Sequence, residues 1–145
     1  MAWRDRLGQL AAALWWGSLT AIGFVAVPLL FASLPTPALA GQAAARLFTA
    51  QSWIGIGCGL VLLVSSRSRD GAAGMDWARG ALAFVVTGML LAVLAEFAVA
   101  PRIVARENLR LWHTLGSAMY GLQWLCALVV LWKLSDRPSS PAVPS

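Results

Sequence analysis

Apolar and polar positions divide this chain into four long apolar stretches separated by short polar ones. Leu7 to Leu34 contains no charged residue, and neither does Leu47 to Ser66. Gly80 to Pro101 carries one acid, Glu96, and Leu111 to Trp132 carries one histidine, His113. A hydrocarbon core roughly 30 Å thick is crossed by about 20 helical residues. Backbone amides in lipid must find partners within their own segment, so each stretch should be a helix. The pattern predicts an all-α integral membrane four-helix bundle, one domain over 1–134, with transmembrane helices over about 7–34, 39–65, 76–101 and 108–134.

The polar punctuation is brief. Pro35-Thr36-Pro37 breaks the first helix and leads straight into the second, a tight hairpin. Ser65 to Met75 forms the next link and Arg102 to Glu107 the last. Residues 135–145, rich in proline and serine, are expected to form a disordered cytoplasmic tail. Phe24-Val-Ala-Val-Pro28 in the first helix echoes Phe97-Ala-Val-Ala-Pro101 in the third, so the chain reads as two parallel helical-hairpin repeats, an arrangement known among transporters. A proline there removes one backbone donor and frees a carbonyl.

Composition supports the segment reading. Apolar residues make up 59% of the chain and charged residues 12%, against about 25% in soluble domains; mean hydropathy is +0.73. With the N-terminus inside, Arg4, Arg6, Arg67, Arg69, Arg79, Lys133 and Arg137 are cytoplasmic, and Arg46, Arg102, Arg106 and Arg110 lie toward the outside. That bias predicts an N-in/C-in, multi-pass topology. Trp3, Trp77 and Trp132 fall at the cytoplasmic helix ends, where an aromatic belt is expected. The net charge of +5 therefore reports orientation and gives no sign of a nucleic-acid partner. Ala38-Leu39-Ala40 imitates a signal-peptide cleavage site, but the apolar run before it far exceeds the 7–15 residues of a signal peptide.

Candidate chemistry gathers near the outer end. A charge facing lipid at mid-membrane costs at least about 2.5–3.5 kcal/mol, so ionisable groups in the spans should turn inward and pair. Glu96 with Arg46 is the expected buried pair, with Arg102 as rival partner, and Glu96 with His113 is the titratable pair. Arg102, Arg106 and Arg110 run against the positive-inside rule and point to an anionic ligand or acidic partners. Arg110, His113, Ser117, Tyr120 and Trp124 recur at spacings of three and four and share one helix face; Arg46, Thr49 and Trp53 do the same on the second helix. Such a stripe lines either a helix contact or a cavity. Cys58 and Cys126 fall at similar depth and are weak candidates for Cu(I); a lone membrane cysteine is more often a small hydrophobe. His113, the lone histidine, is a minimal haem ligand, and no cofactor is expected. Gly55 and Gly59 form a close-packing surface. No nucleotide loop, metalloprotease motif or nucleophile triad occurs, so no enzymatic activity is expected.

Trp16-Gly17 followed by Phe24-Val-Ala-Val-Pro-Leu-Leu-Phe31 resembles the opening helix of the bacterial family called domain of unknown function 4149. Ala40-Gly41 through Arg46-Leu47-Phe48 resembles its second-helix entry, and Ala100-Pro101-Arg102-Ile103 with His113 and Ser117 its third-to-fourth-helix signature. Gly121 and Gln123 depart from that pattern, which leads one to expect an asparagine after the histidine and serine. The resemblance implies a four-helix integral membrane protein, and the similarity of that family to eukaryotic transmembrane protein 205 hints at export.

Three functions remain open on the sequence. In the first, an outer-leaflet pocket binds or helps export a small or anionic molecule, with Arg46, Glu96, Arg102, Arg106, Arg110, His113, Ser117 and Tyr120 as its residues. A transporter of this size would act as a homodimer, since four helices leave little room for alternating access. In the second, the chain is a structural or assembly subunit packed against a membrane protein partner. In the third, it is a haem- or quinone-linked oxidoreductase.

Overall fold

A computed structural model describes the backbone of residues 2–66 and 72–136, and the side chains of 3, 4, 6–66 and 80–136. The expected link at 67–71, the side chains of Trp77 and Arg79, and the tail from Arg137 lie outside the described residues. Helix α1 is α-helical over Ala2–Thr20, π-helical over Ala21–Ala26 and α-helical again over Val27–Ser33. Helix α2 runs Pro37–Ser66. Helix α3 is α-helical over Ala72–Leu94, π-helical over Ala95–Val99 and α-helical over Ala100–Val104, and α4 runs Leu109–Ser135. The described residues are helical apart from short links, and all four helices are long and apolar enough to cross a membrane. The end bearing Pro35 and Arg106 is called the outer end, after the Lys/Arg distribution.

Three expected boundaries are corrected: α1 begins at Ala2 rather than near 7, α3 begins at Ala72 rather than near 76, so that Ala72 to Met75 of the expected link are helical, and the far end of α3 lies beyond Pro101. Helix α3 does not stop at Pro101 but continues to Val104, so Arg102 lies in a helical turn rather than in the link. The reason is the π-helical stretch before it. The N–H of Ala100 bonds five residues back to Ala95, and Pro101 then occupies the first turn of a new α segment, where a missing N–H costs nothing. The same device recurs in α1: Val27 N–H bonds to the Ile22 carbonyl and Pro28 opens the next α segment. Each member of the Phe-to-Pro sequence echo thus carries a π-helix that ends just before its proline. The extension also sets Glu96 about 12 Å below the helix end, at 1.5 Å per residue, one turn deeper than expected. Arg106 (φ 56°) and Asn108 (φ 36°) adopt left-handed backbone in the turn to α4.

The four helices form a ring in which each packs on its two neighbours in chain order, with α4 closing onto α1. The core lies in the inner half, where Ala12, Trp15, Leu19, Cys58, Val85, Ala127 and Val130 are buried together. Both diagonals are bridged by side chains. Trp15 of α1 crosses to α3, where its ring lies over Gly88, and Tyr120 of α4 meets Phe48 of α2 edge-on at 5.3 Å. Glycine permits the first crossing because a Cβ at Gly88 would stand 2.6 Å from Trp15 Cη2.

In the outer half the packing differs. Val27–Ser33 leans on α2 and contributes no buried residue. The two hairpins are joined there by Tyr120 on Phe48 and Gly23, by Phe24 on Trp124, and between α2 and α3 by the edge contact of Trp53 with Phe97 at 6.3 Å and one hydrogen bond.

Candidate functional site

The stripe on α4 divides at Tyr120. Toward the inner side it seats on α1: Tyr120 Oη donates to the Leu19 carbonyl at 2.7 Å, and Trp124 Nε1 donates to Thr20 Oγ1 at 2.8 Å. Thr20 in turn donates to the Trp16 carbonyl at 2.8 Å, so an indole, a hydroxyl and a backbone carbonyl form one chain. Trp124 also packs on Trp16 at 5.8 Å and on Phe24 at 5.9 Å. Outward of Tyr120, the residues Ser117, His113 and Arg110 of the same stripe are exposed. Helix α1 no longer covers them, because its last turns lean on α2. The outer half of the α4 stripe is therefore uncovered within the chain, and the exposed Phe24 packs edge-on against Trp124 at the boundary between the two halves.

The expected Arg46–Glu96 pair is corrected. The Glu96 carboxylate is partly buried and accepts a hydrogen bond from Thr49 Oγ1 at 3.1 Å. Arg46 is exposed, one turn outward of Thr49 on α2. Arg102 is engaged elsewhere: its guanidinium lies 4.5 Å above the Trp112 ring centre. Arginine is long enough to carry its charge out to the interface, so Arg46 has no need of a buried acid. A threonine is the smaller partner and reaches Glu96 without a second desolvated charge. Arg106 and Arg110 are exposed in and after the α3–α4 turn, and His113 is likewise exposed rather than turned inward. Thr49 therefore joins the candidate set as the residue that positions Glu96.

Replacing Thr49 by valine keeps the shape and removes the donor. We expect Thr49→Val to lower stability in detergent by about 1–2 kcal/mol, since it strands a partly buried acceptor. Thr49→Ser should stay within about 0.5 kcal/mol of the parent, and thermal unfolding followed by circular dichroism distinguishes the two.

Cys58 and Cys126 are both buried as free thiols in the inner half, and Cys126 Cβ lies against Gly88. Among the described residues no group of three or more His, Cys, Asp or Glu side chains could hold a metal. A small apolar cavity of about 20 Å³ lies at the inner end between Leu62, Ser66, Ala81, Val85, Val130 and Leu134, at the opposite end from the polar cluster.

Sequence reasoning passed over Gln51 and Trp15, and noted Gln123 only as a departure. All three are buried at the bundle centre, with polar atoms that have no protein partner. The available signal was the position of the two glutamines, near the midpoints of the second and fourth spans, where a polar side chain is expensive.

Four membrane-length helices around one core define a small multi-pass membrane protein. The chain belongs to the family described as Domain of unknown function (DUF4149), which matches residues 10–111. That match includes Arg46, Glu96 and Arg110 and ends before His113. No curated protein and no solved structure matches the chain.

Proposed function

We propose that this chain is a binding protein of the bacterial inner membrane, not an enzyme. It takes an anionic, partly apolar molecule on the uncovered outer half of α4, as a carrier or as the binding subunit of an exporter. The observation that carries the reading is the division of the α4 stripe. Tyr120 and Trp124 are seated on α1, whereas Arg110, His113 and Ser117 on the same face are left uncovered. A guanidinium, an imidazole and a hydroxyl outward of two aromatic rings suit a ligand with an anionic head and an apolar body. Arg102 and Arg106 add positive field at the same end. Glu96 sits on a π-helix, an irregularity frequent at functional sites, and is oriented by Thr49. As a carrier the protein would work as a homodimer, which supplies the moving interface that one ring of four helices lacks.

Dodecyl phosphate is a suitable probe, added to protein purified in an uncharged detergent. Arg110→Ala and His113→Ala are each expected to weaken its binding about tenfold or more, as loss of a charged hydrogen bond predicts. Glu96→Gln should change affinity less. Binding by the Arg110/His113 double variant at parental affinity, with the fold intact, would remove the site. The alternative role as an assembly subunit draws on the low burial of the spans, whose windows are only 17–33% buried within the chain and leave wide faces for a partner. Stoichiometric recovery of one membrane partner by crosslinking, with no probe binding, would favour it.

A further inference from the structure

We propose that the centre of the bundle is an internal water site, built by Gln51, Gln123 and the indole of Trp15. Gln51 is 1% exposed, and neither its Nε2 nor its Oε1 has a protein partner. Gln123 is 4% exposed with Nε2 unpartnered, and Trp15 is fully buried with Nε1 unpartnered. These groups come from three helices, and those of Trp15 and Gln123 meet beside a glycine of α2. A Cβ at Gly55 would lie 2.9 Å from Trp15 Nε1 and 3.0 Å from Gln123 Nε2, so both nitrogens converge on the bare backbone of α2. Gln51 lies one turn outward on the same face of α2.

The two glutamines hold matching places in the two hairpins. Each follows an aromatic residue by three positions, Phe48 or Tyr120, and those rings touch. Each precedes a buried small residue by four positions, Gly55 or Ala127. The midplane polar pair thus falls at equivalent positions of the two hairpins.

The donor and acceptor count selects the occupant. Three groups offer N–H, and the Gln51 carbonyl oxygen needs a donor. A cation meets no sufficient acceptor set there, and an anion leaves the Gln51 oxygen without a donor. Turning the Gln123 amide so that its oxygen faces the Trp15 indole satisfies one pair and leaves both polar atoms of Gln51 without protein partners. Water both donates and accepts within the smallest volume, and buried water typically makes about three such bonds. In lipid the alternative is an unmade hydrogen bond, which costs more than a made one gains. The site is separate from the proposed outer ligand site and does not depend on what binds there.

The test uses the full chain in micelles. Nuclear magnetic resonance should detect cross-relaxation from water to the Trp15 indole proton, assigned by its loss in Trp15→Phe, and to the Gln51 side-chain amide. Gln51→Met, close in shape and without hydrogen-bonding groups, should abolish the water signal at Trp15 or weaken it severalfold and lower the thermal midpoint. Absence of water signal at both parental groups would overturn the proposal. So would a Gln51→Met midpoint above that of the parent, because an amide with no occupant is improved by an apolar replacement.

Discussion

Gly88→Val is expected to lower the stability of the bundle by about 1–3 kcal/mol, the range for overfilling a packed core, and to lie at the upper end of that range. A Cβ at residue 88 would stand 2.6 Å from Trp15 Cη2 and 2.8 Å from Cζ2. The ring has nowhere to retreat, because it is fully buried and its indole nitrogen already abuts Gly55 on the facing side. A planar ring also lacks the soft torsions that would let a methionine bend aside. Trp15→Leu removes the part of the ring that meets Gly88, at the cost of a cavity. In that background Gly88→Val should be far less damaging. A double-mutant cycle in micelles, read by reversible unfolding in sodium dodecyl sulfate, isolates the coupling. Additive effects of the two substitutions would mean that Trp15 does not cross the bundle.

The second large effect is expected at Gly23. Tyr120 Cε1 stands 2.5 Å from where a Cβ would be, and Tyr120 Oη 3.0 Å. Gly23→Val therefore displaces the phenol, which loses its 2.7 Å bond to the Leu19 carbonyl and its edge contact with Phe48. The lost hydrogen bond and the misfit together predict about 2 kcal/mol of destabilisation. Tyr120→Phe deletes only the hydrogen bond and should cost about 1 kcal/mol. The two variants also separate in function. In the proposed function the Tyr120 ring underlies the ligand, so Gly23→Val should weaken dodecyl phosphate binding as well as stability, whereas Tyr120→Phe should leave binding near the parental value. Equal binding by both variants would place the ligand away from this ring.

Individual residues show where sequence reasoning succeeds and where it fails. The apolar run of α2 was bounded within two residues at its start and one at its end, because lipid sets a minimum span and Pro35-Thr36-Pro37 interrupts the pattern. Pro101 misled, since a proline ordinarily signals a helix end; the register shift of a π-helix is a backbone event that residue types do not announce. Glu96 is partly buried and partnered, as the cost of a charge in its span requires, but the partner is Thr49 and not the expected Arg46. Arg46 and Thr49 stand three apart on one helix, and only helix rotation decides which of them faces α3. The α4 stripe was legible as a stripe. Its division into a seated half and an open half depends on the lean of a different helix.

From the residues alone come the number of membrane-length helices, their approximate lengths, a Lys/Arg asymmetry between their ends and the list of polar groups too expensive to leave in lipid. Tertiary structure alone settles which faces turn inward, that Trp15 crosses to Gly88, that Glu96 bonds to Thr49, and that Gln51 and Gln123 share the bundle centre. The physical reason is the solvent. In water the apolar face of a helix marks its buried side, but acyl chains are as apolar as a protein core, so hydropathy measures entry into the membrane and carries no information about rotation within it.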